Sequence, residues 1–209
     1  MAFSDFKTIF DVANSYQTVL TKQAFFADVP PMTLSQEFLE DLSYSLDMKK
    51  PNPSEIAISE NLISPLIRYV GKKHRHIIIW SREYDLRADD KLCGTPDYLF
   101  SYTKEQNTIS NTTPIICVSE AKVDNFTMAW GQTLAEMVAC QKLYANIIIY
   151  GFASNGETWQ FGYLENNVFI QDKNSYNIAT QADKIAGFLD YIFTKAVQEA
   201  EKYLSNKEL

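Results

Sequence analysis

The strongest constraint on the fold is the order of four short apolar segments in the middle of the chain. Three of them lie at 76–86, 96–102 and 114–122, the last two joined by a polar turn at 105–113, and the fourth, at 146–154, follows a long segment rich in helix formers. Strands joined by short turns pair antiparallel, whereas a helix between two strands allows them to run parallel. The sequence therefore predicts an α/β fold with a mixed central β-sheet flanked by helices on both faces.

Further helices are predicted before this region. Apolar residues recur at helical spacing over 3–26, and a second helix is expected to begin at Thr33 or Ser35. Ser54 is a suitable N-cap for a third helix, in which Pro65 should produce a kink or mark a boundary. These segments place helical structure ahead of the first strand.

The length of the chain and its turn signals favour a single domain. A chain of 209 residues can cover one core well but is short for two. The Asn155-Gly156 dipeptide marks a turn before a β-hairpin, and 178–204 predicts a long amphipathic C-terminal helix. We therefore expect one domain, in which a core at 54–172 carries an N-terminal helical extension at 1–50.

The net charge limits how the chain can bind nucleic acid. It has 19 Lys and Arg residues against 26 Asp and Glu residues, a net charge of −7. Such a charge opposes strong non-specific attraction to DNA or to anionic membranes, although a metal-binding pocket is itself acidic. Nucleic-acid contact would then depend on a local basic patch, for which the candidates are Lys72, Lys73 and Arg75, beside Arg68 and His74. The alternative is that these residues are a solvated helix end.

Cysteine usage and hydropathy indicate a cytoplasmic protein. The three cysteines lack the paired spacing of metal ligands, and their odd number favours reduced thiols. The first residues lack the apolar region of a signal peptide, and no apolar run is long enough to span a membrane. We therefore expect a cytoplasmic chain that does not associate with membranes.

Three charged residues stand at strand ends where the neighbouring sequence is strongly apolar. Asp97 begins one strand segment, and Glu120 and Lys122 end the next. If these strands pair as a hairpin, Asp97 and Glu120 can lie side by side, and Lys122 points to the same face as Glu120. Charge in such a place is costly unless it is paired, and a divalent cation offers one reason for it. Mg²⁺ prefers oxygen ligands and commonly combines one or two carboxylates with a substrate phosphate, so the pattern predicts a metal site for phosphoryl chemistry.

The residues Pro96-Asp97 and Glu120-Ala121-Lys122 resemble the signature of the PD-(D/E)XK phosphodiesterase superfamily. The core of that superfamily runs helix, three strands, helix, strand, which is the order predicted for this chain. The chain is similar in particular to the N-terminal nuclease domain of type I restriction motor subunits and to small stand-alone bacterial proteins of that type. The resemblance implies a restriction-endonuclease-like core and metal-dependent hydrolysis of phosphodiester bonds in DNA.

The resemblance also implies a role for each residue of the site. Asp97, Glu120 and the carbonyl of Ala121 would bind Mg²⁺ or Mn²⁺, and Lys122 would orient the attacking water. An acidic residue on the first core helix would support a second metal or a bound water. The residue that matches this position is Glu60.

Two further positions bear on the same site. Glu55 is the alternative to Glu60 on the first core helix, and Gln132 on the helix after the Glu120 strand would touch substrate or the lysine. Gln132 and Glu136 are one turn apart and share a face, whereas Gln141 lies on the other side of that helix. The alternative is that Gln132 and Glu136 are the solvated face of the helix.

Three interpretations therefore remain open. The first is a Mg²⁺-dependent nuclease acting on DNA, in which cutting both strands would call for a homodimer. The second is a catalytically silent nuclease-like fold that binds or assembles with a recognition or motor partner. The third is an α/β domain in which Asp97 and Glu120 do not converge.

Overall fold

A central β-sheet organises the chain in the computed structural model, which describes residues 2–51, 53–104, 114–122, 125–145 and 147–207. Among the described residues, the sheet has eight strands in the order β1-β9-β8-β7-β6-β5-β2, with β10 beside β8, while β3 and β4 form a separate hairpin. In chain order the strands are β1 (Val19–Gln23), β2 (Ile77–Ser81), β3 (Leu86–Arg87), β4 (Cys93–Gly94), β5 (Tyr98–Tyr102), β6 (Ile115–Ala121), β7 (Ile149–Ser154), β8 (Thr158–Glu165), β9 (Val168–Asp172) and β10 (Tyr176–Asn177).

Helices pack around this sheet. In chain order they are α1 (Ile9–Tyr16), α2 (Gln36–Asp47), α3 (Glu55–Ile58), α4 (Ser64–Gly71), α5 (Phe126–Leu143) and α6 (Ile178–Lys207), with a 3₁₀ turn at Phe3–Asp5 and a π-helical turn at Ser59–Ile63. Buried apolar side chains from Phe3 to Ala200 form one continuous cluster. Within the described part of the chain, no helix combines the length and the hydropathy needed to cross a membrane.

The sheet is mixed, as the order of the apolar segments predicts. β6 runs parallel to β7, and β1 runs parallel to β9. β5 lies between β2 and β6 and is antiparallel to both. All residues of β6 and β7 are buried. These two strands are apolar along most of their length because both of their faces are covered.

Helices cover both faces of the sheet, which confirms the predicted α/β architecture. On one face, a side chain in place of Gly151 in β7 would meet Met137 of α5. The next residue, Phe152, points to the opposite face. There its ring lies 5.9 Å from that of Phe100, which in turn lies 5.1 Å from Phe193 of α6.

The first core helix contains a π-helical turn that accommodates Pro65. Ser54 caps the helix as predicted, since its hydroxyl accepts a hydrogen bond from the Ala57 amide at 3.1 Å. The amide of Ser64 donates to the carbonyl of Ser59, five residues earlier, and Pro65 follows within the first turn of α4. Proline lacks an amide and clashes with the preceding turn of an α-helix, and the wider π turn relieves both problems. The predicted kink is therefore a change of helical register.

The predicted helix over 3–26 is wrong in its second half. α1 ends at Tyr16, the C-cap residue Gln17 has a left-handed φ of 57°, and β1 then pairs with β9 at the edge of the sheet. Asn167, next to β9, donates from its side chain to the carbonyls of Tyr16 and Gln17. This contact fixes the end of α1 beside β9, so the N-terminal extension contains a strand and is not helical throughout.

Other predicted elements are present with adjusted bounds. Ser35 caps α2, and β8 and β9 form the predicted hairpin. The C-terminal helix reaches Lys207, although Gln181 interrupts its start with a φ of −141°. β2 is shorter than expected because Arg82 adopts a left-handed φ of 54°. The polar turn predicted at 105–113 lies outside the described residues.

Gly131 allows the N-terminal segment to approach α5 closely. A Cβ at this position would lie 2.7 Å from the carbonyl oxygen of Phe6 and 2.7 Å from the amide nitrogen of Thr8. Gly131→Ala should therefore destabilise the protein by about 1–3 kcal/mol, although alanine favours a helix by about 1 kcal/mol. Urea unfolding measures the change. Gly71→Ala is the control, since the nearest atom there is the flexible end of Ile79 at 3.0 Å, and an equal loss in both variants would contradict the expectation.

Candidate active site

Asp97 and Glu120 lie side by side at one end of the sheet. β5 and β6 pair with Tyr98 opposite Ser119, which brings the preceding Asp97 opposite Glu120. The amide of Asp97 donates to Glu120 Oε1 at 3.3 Å, and the amide of Ala121 donates to Asp97 Oδ2 at 2.9 Å. Both acids are buried, with 9% and 4% of their surfaces exposed. The two carboxylates therefore converge, and the interpretation in which they do not is wrong.

Lys122 joins the two carboxylates. Its Nζ lies 3.0 Å from Glu120 Oε2 and 3.7 Å from Asp97 Oδ2. Burial alone would lower the pKa of Lys122, but the charges of Glu120 and Asp97 outweigh it, and the pKa is raised. The lysine is therefore a stable cation. Its amide donates to the Ser154 carbonyl at 3.1 Å, which continues the β6–β7 pairing and fixes its position.

Arg82 is a member of this cluster that the sequence did not reveal. Its Nε donates to Asp97 Oδ1 at 2.7 Å, and its Nη2 donates to Ser59 Oγ at 3.3 Å. The signal that could have found it is positional: Ser81 pairs with Tyr98, so the residue after Ser81 lies opposite the residue before Tyr98. A cation at the end of one strand and an acid at the facing end of its neighbour predict an ion pair.

Glu136 of α5 belongs to the cluster and is not a solvated helix position. It is buried, and burial, followed by the charge of Glu120, raises its pKa well above the ordinary value. A hydrogen bond between the two carboxyl groups raises the pKa of Glu136 and lowers that of Glu120. Burial and the charge of Asp97 raise the pKa of Glu120 as well. Burial therefore favours the protonated form of Glu136, the more deeply buried of the two carboxyl groups.

Gln132 lies one turn before Glu136 and is half-buried. Its Oε1, and Oε2 of Glu136, are buried oxygens without a hydrogen-bond partner in the described part of the chain. Buried oxygens normally have a partner, so these two are acceptors left unused by the protein. Gln141 is separate, as predicted, because its side chain donates to the carbonyls of Ile147 and Leu164.

Glu60 does not join the cluster, which corrects the position assigned to it on the first core helix. It is exposed in a groove with Phe38 and Asp41 of α2. Glu55, the alternative, lies 3.6 Å from Lys122 Nζ through its Oε2. Glu55 and Ser59 are one turn apart and face the sheet end together, whereas Glu60 is rotated from Ser59 by about 100°.

The basic patch lies at the other end of β2 from the carboxylates. Lys72, Lys73 and Arg75 are exposed between α4 and β2, while Arg82 follows the last residue of that strand. Ile77 and Arg82 are separated by about 17 Å of extended chain, and the patch lies beyond Ile77. It therefore does not line the carboxylate cluster.

His74, within the patch, has a structural contact instead. Its Nε2 lies 2.9 Å from Asp190 Oδ1 of α6, and only 11% of its side chain is exposed. This contact ties the turn before β2 to α6. His74 therefore contributes to packing and not to an exposed basic surface.

The chemistry of the cluster fits a hard divalent cation. Nowhere in the described ranges do three or more His, Cys, Asp and Glu side chains form a group arranged to hold a metal ion. Mg²⁺, however, needs only one or two protein carboxylates when water and phosphate complete its shell. Asp97, Glu120 and the Ala121 carbonyl offer oxygen donors alone, and Glu136 and Gln132 leave buried oxygens free beside them.

Comparison with protein-family models and with curated proteins gives no match to this chain.

The proton on Glu136 predicts that stability depends on pH. The folded chain keeps this proton above the pH near 4.5 at which an ordinary glutamate loses it. The contribution of Glu136 to stability is therefore fully present below that pH and is lost as the pH rises towards its raised pKa, by up to about 1.4 kcal/mol per pH unit. Glu136→Gln stays neutral, so the variant should gain stability relative to the wild type as the pH rises above about 5. Urea unfolding with a chelator present measures both curves.

Glu60→Gln is the matched control for Glu136→Gln, because it makes the same chemical change at an exposed position. This control should follow the wild-type pH profile. Parallel curves for Glu136→Gln and the wild type would show that Glu136 does not hold the proton.

Proposed function

We propose that this chain is a metal-dependent nuclease that hydrolyses phosphodiester bonds in DNA. The observation that carries the proposal is the convergence of Asp97, Glu120 and Lys122 at the end of β6. Lys122 Nζ lies within 3.7 Å of an oxygen of each carboxylate. Two carboxylates and a lysine on one face, with a further buried acid behind them, match the requirements of metal-assisted phosphoryl chemistry.

The order of elements supports the same proposal. A helical stretch is followed by the antiparallel strands β2, β5 and β6, with the separate β3–β4 hairpin between β2 and β5. The helix α5 and the strand β7, which runs parallel to β6, come next. This is the order expected of a PD-(D/E)XK core, and the acidic residues stand where that core would carry them. We therefore infer a restriction-endonuclease-like core within the α/β fold.

The proposed division of roles follows from the contacts. Asp97, Glu120 and the carbonyl of Ala121 would hold Mg²⁺ or Mn²⁺. When bound, the metal would neutralise charge on the phosphate and make a water more acidic. Lys122 is fixed between the carboxylates and would orient that water or offset charge in the transition state. Gln132 has a free buried oxygen in the same region and would contact the substrate or the water.

The charge distribution indicates that affinity for DNA is weak in the isolated chain. The net charge is −7, and the patch of Lys72, Lys73 and Arg75 lies away from the cluster. The length of β2 separates the basic patch from the carboxylates by about 17 Å, which is the length of about five base pairs at about 3.4 Å per base step. The patch would therefore contact a DNA duplex about five base pairs away from the bond that is cleaved. We infer that a second copy, or a recognition or motor partner, supplies the remaining contacts.

The alternative function, a catalytically silent binding or assembly module, has one observation in its favour. Tyr44 and Met48, near the end of α2, are 66% and 64% exposed, and they line one groove with Lys49 and Lys50. Large exposed apolar side chains beside a groove often mark a binding surface. In that case the ion pairs of Asp97 with Arg82 and Lys122 would only stabilise the fold.

Titration of Mn²⁺ into wild type and Asp97→Asn decides between the two functions. Calorimetry should show that the wild type binds one ion per chain, and the wild type should cleave DNA only with Mg²⁺ or Mn²⁺ present. Asp97→Asn keeps the shape of the side chain but removes its charge, so it should lose the ion and at least about 10²-fold in cleavage.

Glu60→Gln is the control, because that carboxylate lies outside the cluster. Binding and cleavage should survive in this variant. Cleavage by Asp97→Asn at the wild-type rate would refute the nuclease proposal. A wild type that binds no Mn²⁺ but forms a stable complex with a partner protein would establish the binding module.

A further inference from the structure

Arg82 has a position that the proposed mechanism does not use. Its guanidinium lies on the outer side of Asp97, and 34% of the arginine side chain is exposed against 12% of the aspartate side chain. Asp97 Oδ2 is held from the inner side by the Ala121 amide. Arg82 thus stands between the buried carboxylates and the solvent from which a substrate would approach.

The hydrogen-bonding capacity of Arg82 is only partly used. A guanidinium has five N–H donors in a planar fork. One donates to Asp97 Oδ1 at 2.7 Å, and another makes a long contact with Ser59 Oγ at 3.3 Å. The remaining donors have no partner among the residues that the structure describes. Such a fork matches the geometry of phosphate oxygens, which it can bind in pairs.

The backbone at Arg82 is also specialised. Its φ of 54° is left-handed, a conformation that residues other than glycine rarely adopt. The amide of Arg82 donates to the carbonyl of Asp97 at 3.2 Å, which anchors this conformation to the start of β5. The sharp turn ends β2 and carries the side chain over the cluster. Strained backbone of this kind is concentrated at functional sites.

We propose that Arg82 is a phosphate-binding residue that exchanges Asp97 for the substrate phosphate when a divalent cation binds Asp97. The inference rests on the proposed function and adds to it a residue that contacts the substrate. A cation at Asp97 and the guanidinium compete for the same carboxylate and repel each other. The Ala121 amide keeps Asp97 in place. Arg82, whose side chain is the more exposed of the two, is the partner that moves outward to the phosphate.

Arg82→Gln tests the exchange because it should move two measured quantities in opposite directions. Without the competing cation, Mn²⁺ should bind about tenfold tighter in calorimetry. Without the phosphate contact, cleavage of DNA at saturating metal should fall about 10²-fold. A merely structural arginine would not tighten the metal while slowing the reaction.

Two further variants make the comparison decisive. Arg87→Gln removes an exposed arginine that pairs with Asp90 at 3.4 Å, away from the cluster, and should match the wild type in both measurements. Arg82→Lys keeps a cation but not the fork, so its Mn²⁺ affinity should stay nearer the wild type while cleavage falls at least about tenfold. If Arg82→Gln fails to fold, as judged by circular dichroism, Arg82→Lys carries the test.

Each outcome separates this inference from the proposed function. If the wild type binds Mn²⁺ and cleaves DNA, while Arg82→Gln binds the ion no tighter or cleaves as fast, the exchange is refuted and the nuclease stands. If the wild type neither binds Mn²⁺ nor cleaves, the proposed function fails and the exchange fails with it. Tighter binding together with slower cleavage establishes the exchange.

Discussion

The hydrogen bonds of the Asp97 carboxylate are the interaction on which the whole site depends. One oxygen accepts from the Ala121 amide and the other from Arg82, so the carboxylate links β6 with the end of β2. Glu120 accepts from the Asp97 amide and lies against Lys122. Two like charges side by side in a buried place would be costly on their own. The surrounding cations and amides make the arrangement stable enough to hold both carboxylates at one sheet end.

The charges at the centre of the cluster offset one another, and this limits what can bind. Asp97 and Glu120 are offset by Arg82 and Lys122, burial favours the neutral form of Glu136, and Glu55 adds a partly exposed carboxylate beside Lys122. A divalent cation adds two positive charges to this balance. The negative charge of a phosphodiester and the outward movement of a guanidinium would together offset them. The proposed chemistry and the proposed exchange are therefore two parts of one electrostatic requirement, in which metal and substrate favour each other's binding.

The sequence predicts those parts of the site that follow from local geometry. The side-by-side placement of Asp97 and Glu120, with Lys122 on the same face, needs only the strand period of two and a hairpin. Glu136 was ambiguous because α5 is buried over most of its surface, so helical periodicity does not separate a polar face. Arg82 was missed because its left-handed backbone reverses the chain where a continuing strand was expected. These two positions depend on tertiary contacts, which no short sequence pattern reports.

The same distinction explains why helices were harder to predict in detail than strands. β1 has a spacing that also suits a helix, and its partner β9 lies far away in the sequence, so only the packed structure decides. Glu55 and Ser59, one α-helical turn apart, face the sheet end, whereas Glu60 is rotated away from them, and the π turn that begins at Ser59 changes the direction of the side chains after it. The side chains of a strand alternate between two faces, so the position of one charged residue shows which residues share its face. A helix has a continuous surface, and a single change of register redirects every side chain beyond it. The sequence could therefore predict that an acidic residue of the first core helix reaches the site, but it could not decide between Glu55 and Glu60.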